Sequence, residues 1–190
     1  MYRTSRILAF AVAVTLCCSA AAQQRAFGLY NCLKGFGVNL EVAGADGEFV
    51  DSYTLFADIY GFPTGRTDSP GVKFNYSREF PLLEVLENNV SYSLYAGPGF
   101  STGLVRDFEK NYYQDLSHPL EKNPGFIAAL SGIFGCRFGF RNRIVLDLSF
   151  TLEAGLHIRK DESGGNAQVS LYKNGIFESF YPQLSILTCF

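Results

Sequence analysis

The chain is poor in several residue types that would point to a metal site, a nucleic-acid surface or a helical membrane protein. Among 190 residues it has no tryptophan, one methionine and two histidines. Its 16 basic and 18 acidic residues leave a net charge of −2, so the sequence offers no polybasic surface for nucleic acid. Beyond the N-terminal segment no apolar run approaches the ~18 residues that a membrane-spanning helix needs, which excludes a helical membrane protein.

Cysteine is also scarce beyond the N-terminal segment, where only Cys32, Cys136 and Cys189 occur. Their spacing fits no CxxC metal or redox motif, and an odd number leaves at least one thiol unpaired. We therefore expect the three cysteines to act as small apolar side chains.

The N-terminal segment has the three parts of an export signal. Arg3 and Arg6 precede a short apolar run over residues 7–16, and small residues follow up to Ala22. This pattern predicts a signal peptide over residues 1–22 with cleavage between Ala22 and Gln23, and one domain over residues 23–190.

A lipoprotein signal is the alternative at this end, because Cys17 and Cys18 follow the apolar run. Lipid attachment favours leucine three residues before the cysteine, but Val14 and Thr15 occupy those positions. The sequence therefore favours simple cleavage.

The clearest structural pattern lies between Ile144 and Ile158. Every even-numbered residue in this stretch is apolar, whereas the odd-numbered ones are mostly polar or small. A period of two over about 15 residues predicts a strand longer than most strands of soluble proteins. Residues 126–140 mirror the pattern, and the intervening Arg141–Arg143 predicts a tight hairpin turn.

Weaker alternation predicts six further strands, at residues 26–33, 36–43, 49–60, 72–79, 90–103 and from about Glu178 to Phe190. The first two are short, and the pattern leaves open whether they are separate or one long strand. Pro98 cannot donate a ladder hydrogen bond, so it predicts a bulge or interruption.

Eight strands of this kind, after an export signal and ending in phenylalanine, predict an antiparallel up-and-down transmembrane β-barrel in the bacterial outer membrane. Both chain ends of such a barrel face the periplasm. The connections 44–48, 80–89 and 141–143 would then be periplasmic turns. The longer segments 62–71, 106–124 and 159–177 would be extracellular, with residues 169–172 and 174–175 extending the last hairpin.

The chain resembles the small eight-stranded outer-membrane barrels, the family that includes the membrane domains of outer-membrane proteins A and X, and especially the loop-poor barrels of Bacteroidota. The resemblance covers residues 23–190 and rests on the signal peptide, the alternating strands, residues 95–99 (Tyr-Ala-Gly-Pro-Gly) and the segment from Tyr181 to Phe190. None of these features is specific for an activity.

The resemblance implies a C-terminal assembly signal that the barrel-assembly machinery reads. The residues that fit the apolar parity of that signal are Phe180, Leu184, Ile186 and Phe190. Thr188 departs from the parity, and Leu187 and Cys189 place apolar groups on the expected inward face.

A set of charged residues falls on the predicted inward parity of the strands. Its members are Glu41, Asp58, Lys73, Glu79, Arg137, Asp147, Glu153 and His157. One interpretation is a narrow porin-like pore or proton path. The other is a closed network of ion pairs, which the limited interior of eight strands favours. On this interpretation Arg137 and Lys73 should each meet carboxylates, because lone buried charges are costly.

Catalytic and metal sites are less well supported. Ser149, Glu153 and His157 share a face, but four residues of strand separate the last two by roughly 13 Å at ~3.3 Å per residue. Asp115, His118 and Glu121 could hold a metal only in a loosely spaced loop.

We therefore expect no catalytic residues, no cofactor and no metal. The sequence predicts a monomer in outer-membrane lipid with a structural or surface-interaction role, in which extracellular loops contact a protein or glycan.

Overall fold

The computed structural model describes residues 25–44, 46–60, 71–105, 125–141, 143–160, 167–173 and 181–190. Its strands are β1 (Arg25–Asn31), β2 (Phe36–Ala43), β3 (Val50–Asp58), β4 (Gly71–Glu87), β5 (Val90–Val105), β6 (Gly125–Phe140), β7 (Ile144–Lys160), β8 (Ala167–Lys173) and β9 (Gln183–Cys189). No helix long and apolar enough to cross a membrane occurs in this part of the chain.

The strands form one closed sheet. Each strand from β1 to β7 pairs antiparallel with the next, and β9 pairs with both β7 and β1. β8 pairs with Ala154–Lys160 of β7, whereas β9 pairs with Ile144–Ser149, so β8 and β9 share one position in the barrel. The fold is thus an eight-stranded antiparallel up-and-down barrel, which confirms the prediction.

The two ends of the barrel differ in their connections. One end, here called the turn end, carries the β2–β3, β4–β5 and β6–β7 turns; the opposite end is the loop end. At the loop end the Cys32 amide donates to the Gly35 carbonyl over 2.9 Å, which closes a tight hairpin between β1 and β2. The first two predicted strands are therefore separate.

The prediction of a turn over residues 80–89 was wrong. β4 continues to Glu87, and only Asn88 and Asn89 form the connection to β5, with positive φ angles of 44° and 75°. Two such residues make the two-residue turn that matches strand twist. The alternation of apolar and polar residues did not predict this part of β4, because a β-bulge at Leu82, between Pro81 and Leu83, shifts the register by one residue.

The prediction of a bulge or interruption at Pro98 is confirmed, because an interruption occurs there. The β4–β5 partners stop at Ser77↔Gly99 and resume at Phe80↔Ala96 without a change of register, so the ladder is interrupted opposite Pro98. The bulge itself lies further along β4.

The last strand also differs from its prediction, since β9 begins at Gln183 and not near Glu178. Residues 1–24, which include the predicted signal peptide, lie outside the described residues. So do residues 61–70, 106–124, 161–166 and 174–180, with Asp115, His118, Glu121 and Phe180 among them.

The pleat sorts side chains between the outer wall and the interior. On β3, Ser52, Thr54 and Asp58 are buried inside, whereas Tyr53 and Leu55 are exposed outside. The same division recurs on β7, where Leu152 is exposed between buried Thr151 and Glu153. Successive residues point to opposite faces of a strand, so this division follows from the period of two.

Gly28 provides a test of closure. A β-carbon on Gly28 of β1 would overlap the backbone carbonyl of Ile186 on β9, whereas one on Gly132 of β6 would have no atom within 4 Å. We predict that Gly28→Val costs about 1–3 kcal/mol of stability through overpacking at the closing seam. Gly132→Val, the matched control, should be neutral.

The measurement is unfolding by urea in detergent micelles, with gel migration before and after heating as a check of folding. Equal stability of the two variants would contradict closure between β1 and β9.

Candidate functional site in the barrel interior

The interior is lined with buried polar side chains from six strands, namely β2, β3, β4, β5, β7 and β9. Buried polar or charged residues include Asn39, Glu41, Ser52, Thr54, Asp58, Lys73, Ser77, Glu79, Ser101, Asp147, Ser149, Thr151, Glu153, His157 and Ser185. An eight-stranded barrel leaves room for little more than its own side chains, so these groups must bond to one another across the lumen.

Arg137 is the centre of the first charged cluster, nearest the turn end. Its Nη2 donates to Oε1 of Glu41 over 3.0 Å and to Oε2 of Glu79 over 2.6 Å. Its Nε lies 3.4 Å from Oδ2 of Asp147. Three strands on two sides of the barrel thus direct carboxylates at one guanidinium, and we call these four residues the Arg137 cluster.

The Arg137 cluster holds more negative than positive charge. The carboxylate oxygens of Glu41, Glu79 and Asp147 lie within 4.8 Å of one another, a separation that also suits a divalent cation. However, Arg137 contacts all three carboxylates and occupies the position that such an ion would need. The chemistry of this cluster is therefore ion pairing.

Two neutral side chains complete the cluster, and sequence analysis missed both. The Tyr95 hydroxyl donates to Oδ1 of Asp147 over 2.8 Å, and its ring lies 4.8 Å from the Arg137 guanidinium carbon. The Ser77 hydroxyl donates to Oε1 of Glu79 over 2.8 Å. Tyr95 falls on the inward parity of β5 between Ser93 and Gly97, which is the signal that could have identified it.

A layer of uncharged groups separates this cluster from the next. Oδ1 of Asn39 accepts from Ser52 over 3.0 Å and from Thr54 over 3.2 Å. The Asn39 amide donates to Ser185 on β9 over 3.3 Å. Hydroxyl and amide groups therefore tie β2, β3 and β9 together without any charge.

Lys73 and Glu153 form the second charged pair, nearer the loop end. The two side chains are buried, and Lys73 donates directly to Oε2 of Glu153. The Tyr172 hydroxyl donates to the same oxygen over 3.1 Å. Lys73 also lies 6.0 Å from the centre of the Phe56 ring. Tyr172 comes from β8, so this pair joins β4 and β7 to the short eighth strand.

The structure places Asp58 and His157 inside the barrel but outside these two clusters. Both are buried, with exposed fractions of 6% and 2%. Ser149, Glu153 and His157 all face inward, and Glu153 is bound by Lys73 and Tyr172.

Among the described residues, polar side chains line three cavities inside the barrel. The first, about 260 Å³ in volume, opens at the turn end, and Glu41, Glu84, Tyr95 and Arg137 are among its lining residues. We call this cavity the vestibule. Two smaller cavities of about 20 Å³ and about 10 Å³ lie beyond it towards the loop end, and residues such as Asn75 and Gln183 line both. The smaller two are at the size of one water molecule.

An ion pair also occurs on the outer wall, which sequence analysis did not predict. Nε and Nη2 of Arg78 donate to Oδ1 and Oδ2 of Asp51 over 2.8 and 3.0 Å. Tyr76 donates to Asp51 over 2.9 Å, and the Phe49 ring lies 4.2 Å from the Arg78 guanidinium carbon.

The described residues of the predicted assembly signal, Leu184, Ile186 and Phe190, lie on β9 and just beyond it. Ile186 is half exposed and Phe190 is largely exposed, whereas Leu187 is fully buried. Leu184 pairs with Leu148 of β7, on the outward parity.

Comparisons with known proteins add little to this geometry. No family model matches the chain, and no curated protein matches its sequence. Among solved structures, the chain is similar to a major outer membrane protein from Thermus thermophilus. The identity is 14% and the TM-score is 0.43, with 90% of this chain and 100% of that chain covered.

The Arg137 cluster makes a direct prediction. Arg137→Met should destabilise the barrel by about 3–5 kcal/mol, because three carboxylates would remain buried without their cation. Adding Glu79→Gln should restore part of that loss, since it removes one of the unpaired charges.

Tyr95→Phe is the matched control, because it removes a single hydrogen bond and should cost about 1–3 kcal/mol. All variants are compared by urea unfolding in micelles. A loss under about 1 kcal/mol for Arg137→Met, or no recovery with Glu79→Gln, would show that charge compensation does not hold the interior together.

Proposed function

We propose that this protein is a non-enzymatic integral barrel of the bacterial outer membrane. The single observation that carries the proposal is the inverted distribution of polarity. Polar residues fill the interior, whereas large apolar residues are exposed on the outer wall. They include Phe27, Leu29, Phe36, Leu55, Val72, Phe100, Leu130, Phe134, Leu152, Leu156 and Ile186. A continuous apolar wall of this kind is costly in water and suits hydrocarbon.

The closed sheet supports the same placement. Lipid cannot satisfy free backbone groups, so a sheet must close before it can span a bilayer. Pairing of β1 with β9 provides that closure. The proposed partners are therefore outer-membrane lipid around a monomer, and the barrel-assembly machinery during insertion.

A structural or surface-interaction role follows from how the interior is used. In both interior clusters the cation is ion-paired with carboxylates from other strands, so these charges join the wall across the lumen. We propose that the extracellular segments 106–124 and 159–177 make the external contacts, with a protein or a glycan. Tyr112 and Tyr113 are aromatic candidates for such contacts in the first segment.

A narrow pore is the second candidate, and the vestibule is the observation that favours it. Ions could enter the roughly 260 Å³ vestibule from the turn end and reach Arg137. Beyond Arg137 the cavities shrink to the size of single waters. A lipid-modifying enzyme is a third and weaker candidate.

Membrane placement gives a paired prediction on β7. Leu148→Arg should cost about 2–4 kcal/mol, because it places a charge on the lipid-facing wall near mid-membrane. Ser149→Arg puts the same side chain into the interior, where space and the nearby Asp147 and Glu153 determine the cost instead of lipid.

The two β7 variants are compared in liposomes and in detergent micelles. The penalty of Leu148→Arg should grow with bilayer thickness, and that of Ser149→Arg should not. Equal dependence for both variants, or purely soluble recovery of the wild type on cell fractionation, would contradict the membrane barrel.

Conductance separates the structural role from the pore. We expect no steady current from the purified barrel in planar bilayers, because the Arg137 cluster and the Lys73–Glu153 pair block the lumen. A steady wild-type current that Arg137→Ala alters, and that the rim variant Arg143→Ala leaves unchanged, would establish the pore instead. Altered lipid A acylation on expression, read by mass spectrometry, would establish the enzyme.

A further inference from the structure

The far half of β4, residues 80–87, has a free edge. The β3 partners of β4 end at Val50↔Glu79, whereas its β5 partners continue to Glu87↔Val90. Residues 80–87 therefore pair with β5 on one side, and no described strand pairs with the other. All eight residues are exposed. We call this stretch the β4 edge.

The β4 edge is apolar on both faces, unlike the rest of the barrel wall. Leu83 and Val85 follow the outward parity and are exposed by 50% and 46%. Leu86 follows the opposite parity and is exposed by 76%. Inward positions elsewhere on β4, such as Lys73 and Glu79, are buried and polar.

Lipid is a poor occupant for this surface. A strand edge in hydrocarbon leaves its amide and carbonyl groups without hydrogen bonds, at several kcal/mol for each group. The β4 edge must therefore lie in water or be paired. In water, an apolar edge strand is a template for another strand unless a charge, a bulge or a proline blocks it. Pro81 and the bulge at Leu82 block the first part of the β4 edge, so residues 83–87 form its open part.

The charges on the β4 edge itself are acidic, and Arg78, the basic residue that precedes it on β4, is paired with Asp51. Glu84 and Glu87 belong to the strand, and Asp46 and Glu48 are exposed in the neighbouring β2–β3 turn. No lysine or arginine occurs in residues 44–60 or 79–105. Edge-to-edge pairing of two copies would bring these acidic groups together, which disfavours a second copy of the chain.

We propose that the β4 edge is a docking site for an extended basic segment of another protein. Such a segment would add one strand to β4 through backbone hydrogen bonds. Its apolar residues would cover Leu83 and Val85 on the outward face, and its lysines or arginines would meet Glu84 on the inward face. The periplasmic location of the partner rests on the proposed function, whereas the docking of a strand at the β4 edge does not.

The test uses a fluorescein-labelled peptide of ten residues that alternates valine and lysine. Its binding to the full barrel in zwitterionic micelles is measured by fluorescence anisotropy. We expect saturable binding that weakens at least tenfold in a Glu84→Lys, Glu87→Lys double variant. The double variant should instead bind a valine–glutamate peptide. Arg143→Glu, on the same rim but away from the edge, should change binding less than twofold.

A valine–lysine peptide interrupted by prolines keeps the charge but cannot pair as a strand, so it should not bind. Amide hydrogen exchange across residues 80–87 should slow only with the uninterrupted peptide. Equal binding of both peptides, or binding that the double variant leaves unchanged, would overturn the proposal.

The other occupants are tested separately. The chain has no tryptophan, so Leu86→Trp gives a single reporter at the β4 edge. Strong quenching of Leu86→Trp by brominated lipid, or a dimer in sedimentation that Glu84→Lys dissociates, would overturn the proposal in favour of lipid or a second copy. Leu148→Trp in the same liposomes reports on membrane placement, so failure of the proposed function is distinguishable.

Discussion

Closure of the sheet is the constraint on which the other features of this protein depend. Once β1 pairs with β9, the amides and carbonyls of nearly the whole circumference bond within the wall. The outer wall can then be apolar, as Leu130 and Leu152 are, without exposing unsatisfied backbone to the proposed lipid. Polar side chains on the other parity are left with only the lumen to occupy.

The lumen in turn dictates the chemistry of the interior. Beyond the vestibule the cavities are the size of single waters, so buried charges need protein partners of opposite sign. Arg137 meets three carboxylates and Lys73 meets Glu153, with hydroxyl and amide groups between the two clusters. These same charges join strands across the lumen, which supports the proposed structural role. The β4 edge is the exception, because the pairing of β4 with β3 ends at Glu79 although the strand continues to Glu87.

Much of this architecture could be predicted from the period of two. The alternation from Ile144 to Ile158 identifies β7, and parity alone places Arg137 and Asp147 inside. Their contact also follows from the tight β6–β7 hairpin, because its register sets Arg137 opposite Asp147.

Other features could not be predicted because they depend on contacts across the lumen or on local irregularity. Glu41 and Glu79 reach Arg137 from 96 and 58 residues away in sequence, and only the closed barrel brings them together. The inward parity of Tyr95 is readable from the sequence, but only the closed barrel places Asp147 beside its hydroxyl. The sequence prediction ended β4 at residue 79, eight residues too early. The bulge at Leu82 reverses the parity of the strand, so that apolar residues appear on both faces.

The central claim is that this chain is a barrel with polar residues inside and lipid outside. The most direct measurement is a single-tryptophan scan of residues 146–153 on β7 in liposomes that contain brominated lipid. Quenching should alternate, strong at 146, 148, 150 and 152 and weak at 147, 149, 151 and 153. Uniform quenching along the strand, or none at any position, would contradict the claim.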